Sequence, residues 1–322
     1  MTLQTTFSTV GVREDLANAI YNIAPTETPF LTMVSRGAKP GNTKIEWQTD
    51  TLAAANGSNA RLQGADASYL TATPTVRVAT YTQIMQKGVR VTDTLQEVRT
   101  AGREQELAYQ LEKRMKELKR DMEARLTGNF ASRGGSAATA ALTAGFEAWI
   151  TTNDNRGTGG TQGGYNSTTQ IVSTATDAST TNRRTFTEAR LKTVLRACWD
   201  AGGEPTVVMV GSFNKQQASS FAGISTKYNV VDRNTKSNEI VGAADIYASD
   251  FGVIKIVPNR FSRARSALII DPSMWSVHYL RPFQTRPLAK TGDAENREIV
   301  VEFALASRNE AGNGVIADLT QS

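Results

Sequence analysis

The sequence predicts an α+β fold, and three observations predict it. Residues 43–52 and 74–84 alternate apolar and polar side chains with a period of two, which marks β-strands. Residues 101–127 contain no proline and place Leu107, Leu111, Met115, Leu118, Met122 and Leu126 three or four apart, one apolar stripe along a long helix. Strand patterns then return near the end, at 266–270, 275–280 and 298–305.

Taken in order, residues 1–40 are polar and read as an extended arm. A short helix is expected at 13–23, with Leu16, Ala19, Ile20 and Ile23 on one face, ended by Pro25 and Pro29. In the next segment Thr43, Ile45, Trp47 and Thr49 share a face, and later Val76, Val78, Thr80, Thr82 and Ile84 do so. These two runs predict a long hairpin whose tip is the Ala-, Gly-, Asn- and Ser-rich stretch 53–73. A two-stranded ribbon alone is marginal in water. Nothing adjacent in sequence covers this one, so Ile45, Trp47, Val76 and Val78 are expected to contact a neighbouring subunit.

The helix at 101–127 would be about 40 Å long. Its stripe is narrow and its other faces are charged, so it reads as a strut lying on a sheet. Residues 136–269 read as a separate α/β segment. It holds a short helix at 144–150, a Gly-rich stretch at 153–184 and an amphipathic helix at 185–201. A buried strand at 206–210, a helix at 213–221 and paired strands at 245–257 follow, and a last strand is expected at 315–319.

Composition narrows the chemistry. Hydrophobic residues are 39 % and charged ones 21 % of 322, enough chain for two ordinary cores. Lys and Arg number 36 and Asp and Glu 31, a net charge of +5, with the signs interspersed rather than clustered as in a dedicated nucleic-acid reader. The single Cys198 excludes an intrachain disulfide framework and a cysteine zinc site. The single His278 leaves one candidate base for Ser-His-Asp chemistry, and no Gly-x-Ser-x-Gly elbow supplies a nucleophile. Cys198 falls on the apolar side of its helix, where cysteine acts as a small hydrophobe. Glycines at 157–164 lack the Gly-Lys-Ser/Thr ending of a phosphate loop and read as a mobile surface loop. No catalytic residue, cofactor or metal site is therefore expected. No apolar run approaches the roughly 20 residues of a membrane helix, so no membrane partner is expected either. The opening residues lack a signal-peptide pattern, which points to a cytoplasm or an assembly built there. Arg260, Arg263 and Arg265, with Arg183, Arg184, Arg281, Arg286 and Lys290, are basic points that fit phosphate contacts, a solvated face or intersubunit salt bridges.

Several words in the chain resemble one family. Ile256-Val257-Pro258-Asn259-Arg260-Phe261, Asp271-Pro272, Trp275, Tyr279-Leu280-Arg281-Pro282-Phe283-Gln284-Thr285, Pro287-Leu288-Ala289-Lys290-Thr291-Gly292-Asp293 and Arg308-Asn309-Glu310-Ala311 are similar to the end of tailed-bacteriophage major capsid proteins. Ala24-Pro25-Thr26-Glu27-Thr28-Pro29-Phe30 is similar to their beginning. The resemblance implies an N-terminal arm (1–40), an extended loop (41–94), a peripheral domain with a spine helix (95–135), an axial domain (136–269) and further peripheral strands (270–322). It implies a structural role: pentamers and hexamers closing an icosahedral shell around double-stranded DNA, in a virion assembled in the host cytoplasm. Portal, scaffolding and decoration proteins would be partners, with non-specific contact to packaged DNA. The 157–164 loop is a candidate for the axial tip. Some members cross-link a Lys to an Asn, and no signature of that chemistry is evident at Lys44 or Lys87. Others lose an N-terminal scaffolding segment, which here would be separate or already removed. Two other readings stand beside this one: an α/β enzyme using 136–269, and a non-specific DNA-binding architectural protein.

Overall fold

The computed structural model describes residues 27–67, 69, 71, 74–98, 105–221 and 246–321. The helix expected at 13–23 lies outside them. The chain runs through α1 (Pro29–Met33), β1 (Ser35–Arg36), β2 (Lys44–Thr49), β3 (Val76–Tyr81), β4 (Gln83–Thr92), α2 (Asp93–Glu97), α3 (Glu106–Thr127) and α4 (Phe146–Trp149). It continues with β5 (Asp154–Asn155), β6 (Gly164–Asn166), β7 (Ile171–Ser173), α5 (Glu188–Asp200), β8 (Val207–Val210), α6 (Ser212–Ser219), β9 (Ile246–Ser249) and β10 (Gly252–Pro258). β11 (Ala267–Ile270), β12 (Trp275–Pro287), β13 (Ala294–Ser307) and β14 (Gly314–Ile316) complete it. The mixture of helices and largely antiparallel sheets is the expected α+β class.

β12 and β13 form a long antiparallel hairpin at the centre of a four-stranded sheet, ordered β1-β12-β13-β4. The helix α3 lies across it. Its stripe behaves as the spacing predicts: Leu118, Met122 and Leu126 are buried, Leu111 and Met115 pack at the margin, and Leu107 meets Val89 and Val91 of β4. Across the flank, Lys87 of β4 reaches Asp121 at 2.8 Å and Glu117 at 3.6 Å. The 22 residues span about 33 Å.

The second sheet has six strands, ordered β5-β14-β11-β8-β10-β9. β8 is buried on both faces, as its continuous apolar run predicts. Val207 and Met209 point into the core shared with the first sheet; Val208 and Val210 point toward α5 and α6. One apolar seam therefore joins the two sheets, with Trp275, Ile299 and Phe303 on one side and Met209, Leu268 and Ile270 on the other.

Two boundaries in the sequence reading change. β4 falls within the range read as extended loop, yet it pairs residue by residue with β13 from Gln83↔Phe303 to Thr92↔Ala294. The alternating run at 74–84 is also split at Thr82, where the chain leaves the ribbon for this sheet. β14 falls within the range assigned to the first sheet's strands, yet it pairs with β11 and β5 in the second. Both corrections have one cause: pairing partners far along the chain, about 160 residues for β14 with β5 and 202 to 220 for β4 with β13, are invisible to a local pattern.

A buried carboxylate fastens the start of the described chain. α1 begins with Pro29, and its capping position, Thr28, makes no side-chain cap. The first free amides of that turn are satisfied instead by Glu123, far along α3: Phe30 N donates to Oε1 at 2.7 Å and Leu31 N to Oε2 at 2.9 Å. Asn259, after β10, donates a third bond at 2.7 Å. Burial pushes the Glu123 carboxyl above its ordinary range, against the pull of these three donors. Glu123→Ala should lower the unfolding free energy by about 2–3 kcal/mol, because two buried amides lose their acceptor. Denaturant unfolding of the subunit measures this, and a loss below about 0.5 kcal/mol would show the tie to be dispensable. The sign with pH follows from the raised value: the folded state keeps its proton where the unfolded state has lost it, so this group's contribution to stability declines as pH rises from about 4.3 through the folded pKa. Glu123→Gln should remove that decline.

Candidate functional site

The residues expected at a subunit contact lie on the β2–β3 ribbon, whose register sets Trp47 opposite Val78 and Thr49 opposite Val76. Cross-strand charges stiffen it. Glu46 takes Lys44 at 2.6 Å and also Arg77, and these two cations hold its carboxyl below the usual range. The structure divides the four residues. Val78 is buried in the shared core and Trp47 packs against it, with its ring 6.1 Å from that of Trp149. Trp149 in turn stacks on Tyr165 at 5.9 Å, and the Tyr165 hydroxyl donates to the Arg77 carbonyl at 3.1 Å. Ile45 is half-buried, and Val76 is 50 % exposed.

The expectation that the ribbon lacks cover of its own is thus corrected at its base. Cover comes from α4 and from the small β6–β7 hairpin, both far away in sequence. What remains bare lies beyond Thr49 and Val76. There Leu52 is 100 %, Leu62 85 % and Tyr69 94 % exposed. Sequence reasoning passed over these three because they sit singly in a polar stretch. The one available signal was large apolar side chains in a segment with no strand or helix pattern to bury them.

The residues weighed for chemistry are occupied with structure. His278 on β12 bonds the Ala38 carbonyl through Nδ1 at 2.8 Å and Ser276 Oγ through Nε2 at 3.0 Å. It holds the segment after β1 against β12. Cys198 is buried beside Asn153, and burial pushes its thiol up to about 12. The 157–164 loop is anchored rather than free: Gly157 N donates to Asp318 at 3.0 Å, and Thr161 pairs with Thr176. Arg263 pairs with Glu147 at 2.7 Å and with Asp177, and Arg265 reaches Asp177 at 3.1 Å. Those arginines serve intrachain pairs, a use the sequence reading had not weighed. A cleft of about 490 Å³ at the ribbon's foot includes Glu310, but its carboxylate already accepts the Thr151 and Thr152 amides. Among the described residues no group of three His, Cys, Asp or Glu side chains is placed to hold a metal ion.

A long helix on a sheet hairpin, a second sheet and an outlying two-stranded loop together define a shell-subunit fold, and solved structures share it end to end. The chain is similar to a subunit of the cyanophage A-1(L) capsid at 13 % identity, a TM-score of 0.63, and coverage of 99 % and 100 % of the two chains. It is similar to the capsid subunit of a native GTA particle at 11 % identity and a TM-score of 0.62, over 99 % and 100 %. An encapsulin complex from Synechococcus elongatus PCC 7942 also matches, at 10 % identity and a TM-score of 0.55, over 100 % and 98 %. These likenesses show the fold, which phage capsids and an encapsulin share. Sequence decides further: the chain belongs to the SU10 major capsid protein family, whose model matches residues 2–320. It is 30 % identical over 347 aligned positions to the major capsid protein of Escherichia phage Phieco32, covering 98 % of this chain and 96 % of that one. This is a family of structural capsid proteins, not of enzymes.

The engaged thiol gives a direct check. Cys198 should fail to react with a thiol reagent at pH 8 in the folded subunit and react fully in denaturant. Rapid labelling of the native protein would show that α5 does not seal it.

Proposed function

We propose that copies of this chain close an icosahedral phage head around double-stranded DNA, and that the loop at 50–75 lies across a neighbouring subunit. The observation that carries the loop's role is the contrast along one ribbon. Its base is locked by Trp47, Val78, Trp149 and Tyr165, while Leu52, Leu62 and Tyr69 at its far end are bare. Burying each such side chain contributes about 1.5–3 kcal/mol before association costs. That is modest for one contact, but a closed shell repeats it in every subunit. Ile45 and Val76 stand where the anchored base gives way to the free part, and in this reading they border the contact.

In the same reading the four-stranded sheet with α3 is the peripheral domain, the six-stranded sheet with α5 and α6 is the axial domain, and pentamers and hexamers are the intermediate assemblies. Portal, scaffolding and decoration proteins are the expected further partners, and the host cytoplasm the place of assembly.

Negative-stain electron microscopy of the expressed protein tests this. Shells, tubes or capsomer rings are expected, and a monodisperse monomer at high concentration would sink the reading. Leu62→Ser with Tyr69→Ser should reduce assembly at least tenfold while leaving the subunit's melting temperature within about 2 °C. Trp47→Ala should do the reverse first, costing about 3–5 kcal/mol of subunit stability through the lost aromatic packing.

A further inference from the structure

The charges of α3 are sorted by face. Its acids are buried (Glu106, Glu123) or, for Glu117 and Asp121, turned to the flank where Lys87 and Arg114 meet them at 2.7–3.6 Å. Glu112 is the exception, pairing with Lys116 at 2.5 Å. The outward arc, by the 3.6-residue period, carries Lys113, Lys116, Lys119 and Arg120. Lys119 sits 6.0 Å over the Phe283 ring and Arg120 5.1 Å over the Phe261 ring. These stacks orient the cations without neutralising them. Arg36 shares a cleft with Lys119, and exposed Arg260 adjoins Phe261, so the arc is extended at the helix's side. The carboxylates bordering this surface are Glu112, the ion-paired Glu117 and Asp121 on the flank, and Glu27, which lines a cleft with Arg260.

We propose that this stripe is a contact surface for the phosphate backbone of double-stranded DNA. The inference rests on the shell reading and specifies its DNA-facing surface. It also moves that surface away from Arg263 and Arg265, which ion pairs already occupy. From Lys113 to Arg120 the helix rises about 10 Å, comparable with about three phosphates along one DNA strand. The two rings beside the arc are covered by its own cations rather than free to stack on bases, so binding is sequence-independent and driven by counterion release.

The test is binding of the purified full-length chain to a labelled 30-base-pair duplex of random sequence, measured by fluorescence anisotropy across a salt series. Lys113→Gln, Lys116→Gln and Lys119→Gln together should reduce the slope of log affinity against log salt by about 2.7. Wild type would then lose about 40-fold more affinity than the variant between 50 and 200 mM salt. The Lys→Arg triple should bind as wild type does, which separates charge from misfolding. Arg286→Gln with Lys290→Gln should change the slope by clearly less. Equal loss in that control, an unchanged slope in the Gln triple, or no DNA binding by wild type would each overturn the proposal. Microscopy of the Gln triple keeps the two readings apart: shells that form normally but bind DNA no differently sink the stripe alone, while a wild type that forms no assemblies sinks the shell.

Discussion

The structure depends on a single helical turn. α4 is four residues long, and all four are buried. Because successive side chains on a helix point about 100° apart, such a turn addresses several directions at once. Phe146 meets Phe30 of α1 edge-on at 6.0 Å and Trp275 of β12 at 4.5 Å. Glu147 gathers Arg156 and Arg263, and accepts Ser266 Oγ at 2.9 Å, from around the second sheet. Trp149 receives the ribbon through Trp47 and the β6–β7 hairpin through Tyr165. α1, the four-stranded sheet, the six-stranded sheet and the extended ribbon are therefore referenced to one turn of chain. Any displacement of one is felt by the others through close packing, since protein interiors absorb little strain.

This arrangement clarifies what was legible in the sequence. Local periodicity revealed α3, β2, β3 and α5, because each has an apolar pattern set by its own two faces, and β8 showed as a continuous apolar run buried on both. The family words at 256–293 were legible for a different reason: they are identities, not patterns. The α4 segment read as a short helix, but its role as hub did not show, since a buried Phe-Glu-Ala-Trp has no amphipathic signature. The same limit hid Glu123 and Glu147. Glu123 looks solvated in its charged helix until Phe30, Leu31 and Asn259, 92 to 136 residues away, fold against it, and Glu147 meets Arg263 and Ser266 only across 116 and 119 residues. Alternation showed the ribbon correctly, but Trp47 and Val78 answer to Trp149 and Tyr165, which only the three-dimensional structure brings near.

The ion pairs around Glu147 show why the basic cluster misled. Glu147, Asp154 and Asp177 face Arg156, Arg263 and Arg265, three charges of each sign. Burial acts on them unequally. It pushes Asp154 up to about 6 even with Arg156 alongside, whereas Asp177, against the pull of burial, is held low by Arg263 and Arg265. Buried pairs of this kind add little net stability, since desolvation offsets most of the attraction, yet removing one partner strands the rest. Through Glu147 they tie α4 to Arg156, Arg263 and Ser266. In a subunit whose copies must match one another, a fixed internal geometry matters more than a deep energy minimum.

A division of labour follows for the ribbon. The bare side chains at 52, 62 and 69 lie beyond the paired part of the ribbon and are exposed in the lone subunit. A loosely held base would let the loop sample many directions, and each subunit contact would then cost the entropy of ordering it. Locking Trp47 and Val78 into the core meets much of that cost during folding, before any neighbour arrives. On the reading proposed above, Trp47 and Val78 aim the contact, and the contact itself would fall to Leu52, Leu62 and Tyr69 beyond them.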